Sequence, residues 1–175
     1  LMAGGFGKRM RPKTNKTPKP MLEVNGRPIL EQIIENVRDC GFKNIIITTH
    51  YLSKKITSYF KDGKQWGVNI SYIHEKKPLG TAGSLGLIKK NIKKPIIVAN
   101  GDVISDINFS EILDYHNYHR ADATMAVRIF ERSNPFGVID HDGILIKQIT
   151  EKPIYKTTIN SGIYVIEPKQ IKIIK

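Results

Sequence analysis

From Pro28 onward, Ile29, Leu30, Ile33, Ile34, Val37 and Cys40 recur at three- and four-residue intervals. That period lines one face of an α-helix. Pro28 suits a first helical turn and Gly41 a stop. Asn44–Thr49 is short and holds consecutive isoleucines, the pattern of a strand buried on both faces. Ser53–Phe60 reads as a helix with Ser53 as N-cap. Asn69–His74 and Pro95–Ala99 read as strands, and Thr81–Lys90 and Ser110–His119 as helices. Ahead of all these, residues 4–27 are rich in Gly, Lys, Arg, Pro and Thr and predict a long ordered loop.

The second half changes character. Ala123–Arg128, Gly137–Asp140, Ile144–Glu151 and Ile159–Ile166 read as strands, with a turn at His141-Asp142-Gly143 and a last helix opening at Pro168. Alternating strands and helices followed by strand-rich sequence predict a three-layer α/β domain, Rossmann-like, with a mostly parallel central sheet. Such sheets bind ligands beyond the carboxyl ends of their strands. Three chemically rich segments sit at such ends, after Ala3, after His74 and after Ala99.

Composition adds limits. The 175 residues suffice for one domain with a full core. No apolar run approaches the roughly 18 residues of a membrane span. The lone Cys40 excludes a disulfide framework and a cysteine-based zinc site, and it fits a cytoplasmic location. The net charge of +12 suits a nucleic-acid binder, a phosphate-rich substrate or a lysine-biased proteome. The lysines are spread along the chain, and abundant Ile and Asn accompany them, which favours the last. Leu1-Met2-Ala3 runs straight into a glycine cluster, and a strand feeding that cluster needs more residues. The chain is therefore expected to be a fragment of a catalytic domain, clipped at its start and missing a C-terminal part.

The cluster reads Gly4-Gly5-Phe6-Gly7-Lys8-Arg9-Met10-Arg11-Pro12, followed by Pro18-Lys19-Pro20. Glycines let a backbone approach a ligand, and successive N–H groups form a concave anion site. Lys8, Arg9, Arg11 and Lys19 add charge suited to a polyphosphate. A Walker A loop is excluded because Arg9 follows Gly7-Lys8 and Met2 stands where its first glycine belongs. A dinucleotide fingerprint is excluded because Met10 stands at its third glycine. An ordinary glycine turn with solvated basic residues competes evenly until the strand-end location and Pro18-Lys19-Pro20 are weighed.

With Gly5-Phe6-Gly7-Lys8-Arg9, Pro12-Lys13-Thr14 and Lys19-Pro20, the chain resembles the sugar-phosphate nucleotidyltransferases, whose signature is G-x-G-x-R, P-x-T, then K-P. The resemblance implies a nucleotidyltransferase fold. It also implies a reaction that joins a nucleoside triphosphate to a sugar 1-phosphate and releases pyrophosphate. It assigns Ala3, Gly4, Gly5, Gly7, Lys8 and Arg9 to the triphosphate. Glu75, Gly80 and Thr81 go to the base and ribose, and Lys19 to the phosphates near the reacting centre. Asp102, in Asn100-Gly101-Asp102 after a buried strand, resembles the family's Mg2+-binding aspartate. The family's second metal-binding aspartate lies well beyond the segment matching Glu151-Lys152. No matching acid follows there, so half of the metal site is expected to be missing. Glu151, Lys152, Gly137, Asn160 and Gly162 resemble the sugar-phosphate pocket. Lys8 together with Leu79-Gly80-Thr81-Ala82-Gly83 is most similar to the mannose-1-phosphate guanylyltransferase branch, which favours GTP.

Each segment has a blander reading. Leu79–Ser84 alone is a glycine-rich helix entrance, Glu75 an exposed loop acid, and Glu151-Lys152 a surface ion pair. Joint occurrence in family order argues against the ion-pair reading, whereas the exposed-acid reading of Glu75 stays competitive and the helix entrance is favoured if its segment stands alone. The five histidines, His50, His74, His116, His119 and His141, lack metal-ligand spacing. Tyr51, Tyr59, Phe60 and Trp66 suit core or lid packing. A non-catalytic sugar-nucleotide-binding regulatory domain of the same fold is the alternative. Intact Arg9, Lys19, Asp102, Glu151 and Lys152 argue against it. The resemblance leaves room for a homo-oligomer and for a regulatory domain ahead of the catalytic one. Neither nucleic acid nor membrane is expected as a partner.

Overall fold

The computed structural model describes residues 1–80, 82–88 and 92–174. They form two compact units, Leu1–Met125 with Gly162–Lys175, and Ala126–Ser161. In the first unit, the stretch after the glycine cluster is ordered by three short 3-10 turns, Lys8–Met10, Lys13–Asn15 and Lys19–Met21. A hairpin follows, β1 (Glu23–Val24) against β2 (Arg27–Pro28). It turns through Asn25 and Gly26, both at positive φ, as a tight two-residue hairpin requires. The loop expected over residues 4–27 thus contains small elements of its own.

Next come α1 (Ile29–Asp39), β3 (Asn44–Thr49), α2 (Ser53–Phe60), β4 (Asn69–His74), β5 (Ile96–Ala99) and α3 (Phe109–His119). α1 buries Ile29, Leu30, Ile33, Ile34 and Val37, the stripe that the periodicity predicts. α2 departs from expectation at its start. Leu52, at φ 49, occupies the N-cap position without a side-chain cap, and Ser53 is already helical. α3 is capped by Asn108, whose side chain accepts from the backbone N–H of Ser110 and Glu111. Where Thr81–Lys90 was expected to be helical, the described residues form a 3-10 turn, Gly83–Leu87. Thr81, Lys89 and Lys90 lie outside the described residues. Gly83 and Gly86 explain the shortfall, because glycine is a poor helix former.

The sheet is built around the first three residues. β3 and β4 pair in parallel from Asn44↔Asn69 to Thr49↔His74. Met2 bridges in parallel to Thr48 on one side and to Asn100 on the other. β5 pairs antiparallel with β9 (Ile154–Ile166), and β9 lies between β5 and β6 (Ala123–Ser133). The sheet is therefore mixed. The expected parallel order holds from β4 through β3 and Met2 to the end of β5, and the antiparallel β9 breaks it. The expectation missed that β9 returns against β5, because parallel and antiparallel buried strands carry the same apolar pattern.

Leu30, Ile34, Ile47, Ile56, Phe60 and Val165 are fully buried in the first unit. Phe60 packs on Trp66 with ring centroids 4.9 Å apart, and Tyr59 flanks both. The Tyr59 hydroxyl donates to Glu31, which pushes its pKa up to about 12. These aromatics are packing groups, as expected. α4 (Pro168–Ile171) follows β9. In the second unit, β7 (Val138–Asp142) and β8 (Leu145–Thr150) form an antiparallel hairpin with a register shift at Asp140/His141. No helix among the described residues is long and apolar enough to cross a membrane.

Asn108→Ala is expected to lower the unfolding free energy by about 1 kcal/mol, because it removes a working cap. Ser53→Ala should change it by less than about 0.5 kcal/mol. Urea denaturation of the two variants checks both values.

Candidate functional site

The site begins at the strand of Leu1–Ala3. Met2 N–H donates to the Ala99 carbonyl at 2.8 Å, and Ala3 N–H to the Thr48 carbonyl at 2.9 Å. Gly101 N–H in turn donates to the Met2 carbonyl at 2.8 Å. A Cβ on Gly101 would meet the Met2 oxygen at 3.0 Å and the Ala3 Cβ at 3.3 Å. Glycine at this position lets two strand ends lie side by side. The loops leaving them, Gly4–Arg9 and Asp102 onward, therefore start next to each other.

The glycine loop is held from behind. Gly7 sits at φ +61, and an added Cβ would meet Thr14 Cγ2 at 2.9 Å. Thr14, 1% exposed, donates its hydroxyl to the Gly7 carbonyl at 2.9 Å. Tyr51 then donates to the carbonyls of Thr14 and Asn15. Phe6 packs edge-on to His50 with centroids 5.3 Å apart. Thr14 of the Pro12-Lys13-Thr14 motif is thus a strut for the turn. Lys19 stands between two buried prolines, Pro18 and Pro20, which root its backbone.

From there Lys19 Nζ reaches Asp102 Oδ2 at 2.6 Å. The two side chains are 34% and 29% exposed. A pair this open to water contributes about 1 kcal/mol or less. Its significance is positional, because it joins a basic loop to the acid beyond β5.

Glu75 follows β4 and is 6% exposed. Its backbone is clamped, with N–H donating to the Thr49 carbonyl and C=O accepting from His50 Nδ1 at 2.7 Å. Its Oε2 accepts from the Leu79 N–H at 3.3 Å. An added Cβ on Gly4 would meet Oε1 at 3.0 Å, so glycine admits the carboxylate there. The blander reading of Glu75 as an exposed loop acid is overturned. A buried carboxylate can accept several hydrogen bonds.

These pieces line one cleft of about 700 Å³. Ala3, Gly4, Gly5, Gly7, Lys8 and Arg9 form its glycine-loop wall. Lys19, Asp102, Glu75 and Gly80 complete it. Thr81 lies outside the described residues. Leu79, Ser84 and Asn100, members of segments the sequence had marked, also line the cleft, and so does Thr48, which sequence reasoning missed. Asn100 carried a signal, since it directly follows a buried strand. Thr48 is buried, and its hydroxyl has no partner among the described residues.

The residues matched to a sugar phosphate divide. Gly162 belongs to the first unit, at φ +75, where an added Cβ would collide with the Asn100 amide. Its carbonyl accepts from Asn100 N–H at 2.9 Å. Gly137, Glu151, Lys152 and Asn160 lie in the second unit. A Cβ on Gly137 would meet Glu151 Oε2 at 3.1 Å, so the carboxylate rests against the glycine. Lys152 Nζ lies 3.8 Å from Glu151 Oε1, and both side chains are exposed.

Asp102 is the residue matched to a metal. No group of three or more His, Cys, Asp or Glu side chains able to hold a metal occurs among the described residues. One carboxylate does not cage a cation. It does fit magnesium, which takes one or two carboxylates and completes its shell with phosphates and water.

The nucleotidyl transferase family model matches residues 1–175. A mannose-1-phosphate guanyltransferase of Pichia angusta is 36% identical over 184 residues, covering 100% of this chain and 50% of its own length. The chain thus spans about half the length of the curated relatives it matches. HddC from Yersinia pseudotuberculosis, complexed with GMP-PN, matches with a TM-score of 0.74 and 26% identity, over 98% of this chain and 76% of that one. A putative glucose-1-phosphate thymidylyltransferase from Bacillus anthracis, in complex with a sucrose, matches with a TM-score of 0.68 and 27% identity, over 97% and 71%. The α/β nucleotidyltransferase fold expected from the sequence is shared with these structures.

Gly7→Ala is expected to cost about 1–3 kcal/mol of stability, from left-handed backbone strain and the Thr14 contact. Urea denaturation measures the loss. The strained loop should also bind inorganic triphosphate more weakly, as read by calorimetric titration.

Proposed function

The chain belongs to the nucleotidyl transferase family, and from that premise we propose that it transfers a nucleotidyl group from GTP to a sugar 1-phosphate. The products are a nucleotide sugar and pyrophosphate. The observation that carries the reading is the cleft in which the glycine loop, Lys19, Asp102 and Glu75 meet. A cytoplasmic location fits this chemistry, whose substrates are small phosphorylated metabolites.

A phosphate oxygen of the sugar 1-phosphate attacks the α-phosphorus in line. The bond from that phosphorus to the bridging oxygen breaks, and pyrophosphate leaves with the electron pair. The nucleophile is already an anion, so no general base is needed. The obstacle is charge. Two unit charges about 4 Å apart repel by roughly 4 kcal/mol at an effective dielectric of 20. Backbone N–H groups of Gly4, Gly5 and Gly7, with Lys8 and Arg9, offset it along the triphosphate. Lys19 and Arg9 stabilise the charge that develops at the reacting phosphate. Asp102 would hold Mg2+, which supplies charge neutralisation when bound. Ala3, Gly80 and Thr81 are assigned to the nucleoside. Gly137, Glu151, Lys152, Asn160 and Gly162 are assigned to the sugar phosphate, with Lys152 on its phosphate and Glu151 on hydroxyls.

Glu75 supports guanine. Its carboxylate accepts hydrogen bonds and donates none when ionised. Guanine offers two adjacent donors on one edge, N1–H and the exocyclic amine. Uracil and thymine present a single ring N–H flanked by acceptors.

The melting temperature with magnesium and each of GTP, ATP, CTP, UTP and dTTP is expected to rise most with GTP, since binding to the native state stabilises it. Equal shifts with all five would overturn the guanine assignment, and no shift with any at millimolar concentration would overturn the cleft reading. Glu75→Gln should weaken GTP about tenfold, the loss of one hydrogen bond to a charged group. In turnover assays, Lys152→Ala is expected to raise KM for the sugar 1-phosphate at least tenfold and leave KM for GTP within about twofold.

A further inference from the structure

Two carboxylates line the cleft, and they are treated differently. Glu75 is buried and accepts from a backbone N–H. Asp102 is partly exposed and is ion-paired with Lys19 at 2.6 Å. The cleft's proposed metal ligand therefore already holds a cation, and that cation is the side chain assigned to the phosphates.

We propose that Lys19 and Asp102 form an exchange latch. Without nucleotide, the Lys19 ammonium occupies the Asp102 carboxylate and keeps a divalent cation off it. A triphosphate frees the carboxylate by drawing the ammonium onto its own oxygens. The inference rests on the nucleotide reading of the cleft. It adds that metal and triphosphate depend on each other through a single side chain.

The geometry supports a moving side chain on fixed supports. Lys19 leaves a backbone set by Pro18 and Pro20, with Met21 N–H bonded to the Pro18 carbonyl at 2.8 Å. Its Cβ lies against Gly7, 3.4 Å from where a Cβ would stand there. Asp102 follows Gly101, which is bonded to Met2. The movable part is the lysine stem, four carbons with free rotation. Its root against Gly7 lies at the turn assigned to the triphosphate, so the ammonium can exchange partners by rotation. An ammonium and a divalent cation on one carboxylate repel each other, so occupancy by one opposes the other. Coupling of this kind is reciprocal. A nucleotide that removes Lys19 strengthens metal binding, and a metal on Asp102 strengthens nucleotide binding by the same factor.

The latch requires each partner, once removed, to free the other for its own ligand. Mn2+ binding to the nucleotide-free protein is read by electron paramagnetic resonance for the wild type, Lys19→Met, Asp102→Asn and the double variant. Lys8→Met, which removes a charge from the same cleft, is the control, and a gain of Mn2+ affinity in Lys8→Met equal to that in Lys19→Met overturns the latch. The latch requires Lys19→Met to bind Mn2+ about tenfold more tightly than the wild type, within the 5- to 150-fold span typical of site coupling. The gain must vanish when Asp102→Asn is added. Affinity in Lys19→Met equal to or weaker than wild type overturns the latch. A second arm leaves Lys19 in place. In EDTA, Asp102→Asn should bind GTP several-fold more tightly than the wild type, because the ammonium is no longer held. Unchanged or weaker binding overturns the latch. Wild-type GTP binding with magnesium, run alongside, tests the cleft reading separately. Its absence sinks that reading, whereas the Mn2+ comparison contains no nucleotide and judges the latch by itself.

Discussion

Everything in the cleft depends on one residue being bonded on both sides. Met2 accepts from Gly101, donates to Ala99 and bridges to Thr48. That two-sided pairing puts the short strand Leu1–Ala3 between β3 and β5. Parallel neighbours end at the same edge of a sheet, so the loops after Ala3 and Ala99 leave together. Glu75 joins them because β4 pairs with β3 through Thr49↔His74. Groups up to 100 positions apart, from Met2 to Asp102, thereby share a cleft of about 700 Å³. No local interaction among them would do this.

Within that frame the backbone and the side chains divide the labour. Gly4 admits Glu75, Gly101 admits Met2 and Gly162 admits Asn100. Each glycine removes a methyl group where two chains must touch. Charge is then placed on what remains. Lys8 and Arg9 extend from the 3-10 turn, and Lys19 from its proline-flanked root. None of these cations needs to stabilise the fold. The Lys19 pair with Asp102 is open to water and weak, so it can be exchanged for a ligand at little cost. A site that handles polyanions needs positive charge that is held in place and still available.

Legibility in the sequence followed the range of the interaction. The α1 stripe, the β3 and β4 strands and the α3 helix were readable because periodicity is local. The Ser53 cap was misread because capping depends on backbone geometry, and Leu52 turned out to occupy the N-cap position. The β9 pairing was invisible because a buried strand looks alike whichever way its neighbour runs. Glu75 could not be distinguished from a surface acid. Its burial comes from the fold of the Leu79 turn and from the missing side chain of Gly4, seventy-one positions earlier. The glycine loop and Asp102 were legible because their residue types are chemically particular at strand ends. The Lys19–Asp102 contact was not, because nothing local in either segment specifies the other.

The signature Gly5-Phe6-Gly7-Lys8-Arg9, Pro12-Lys13-Thr14, Lys19-Pro20 therefore mixes two kinds of constraint. Gly7, Thr14 and Pro20 are structural: one turns left-handed, one hydrogen-bonds that turn, and one is buried beside the lysine. Lys8, Arg9 and Lys19 are chemical, and their backbones are set by the first group. Exchanging a structural member would displace all three cations together, whereas exchanging a cation would leave the loop standing. The long spacing from Gly7 to Lys19 follows from this division. The chain must pass behind the turn to brace it through Thr14 before it returns with a lysine aimed at Asp102. A shorter connection could supply the charge but not the brace. The motif reads as one unit because the loop that positions the three cations is also the loop they belong to.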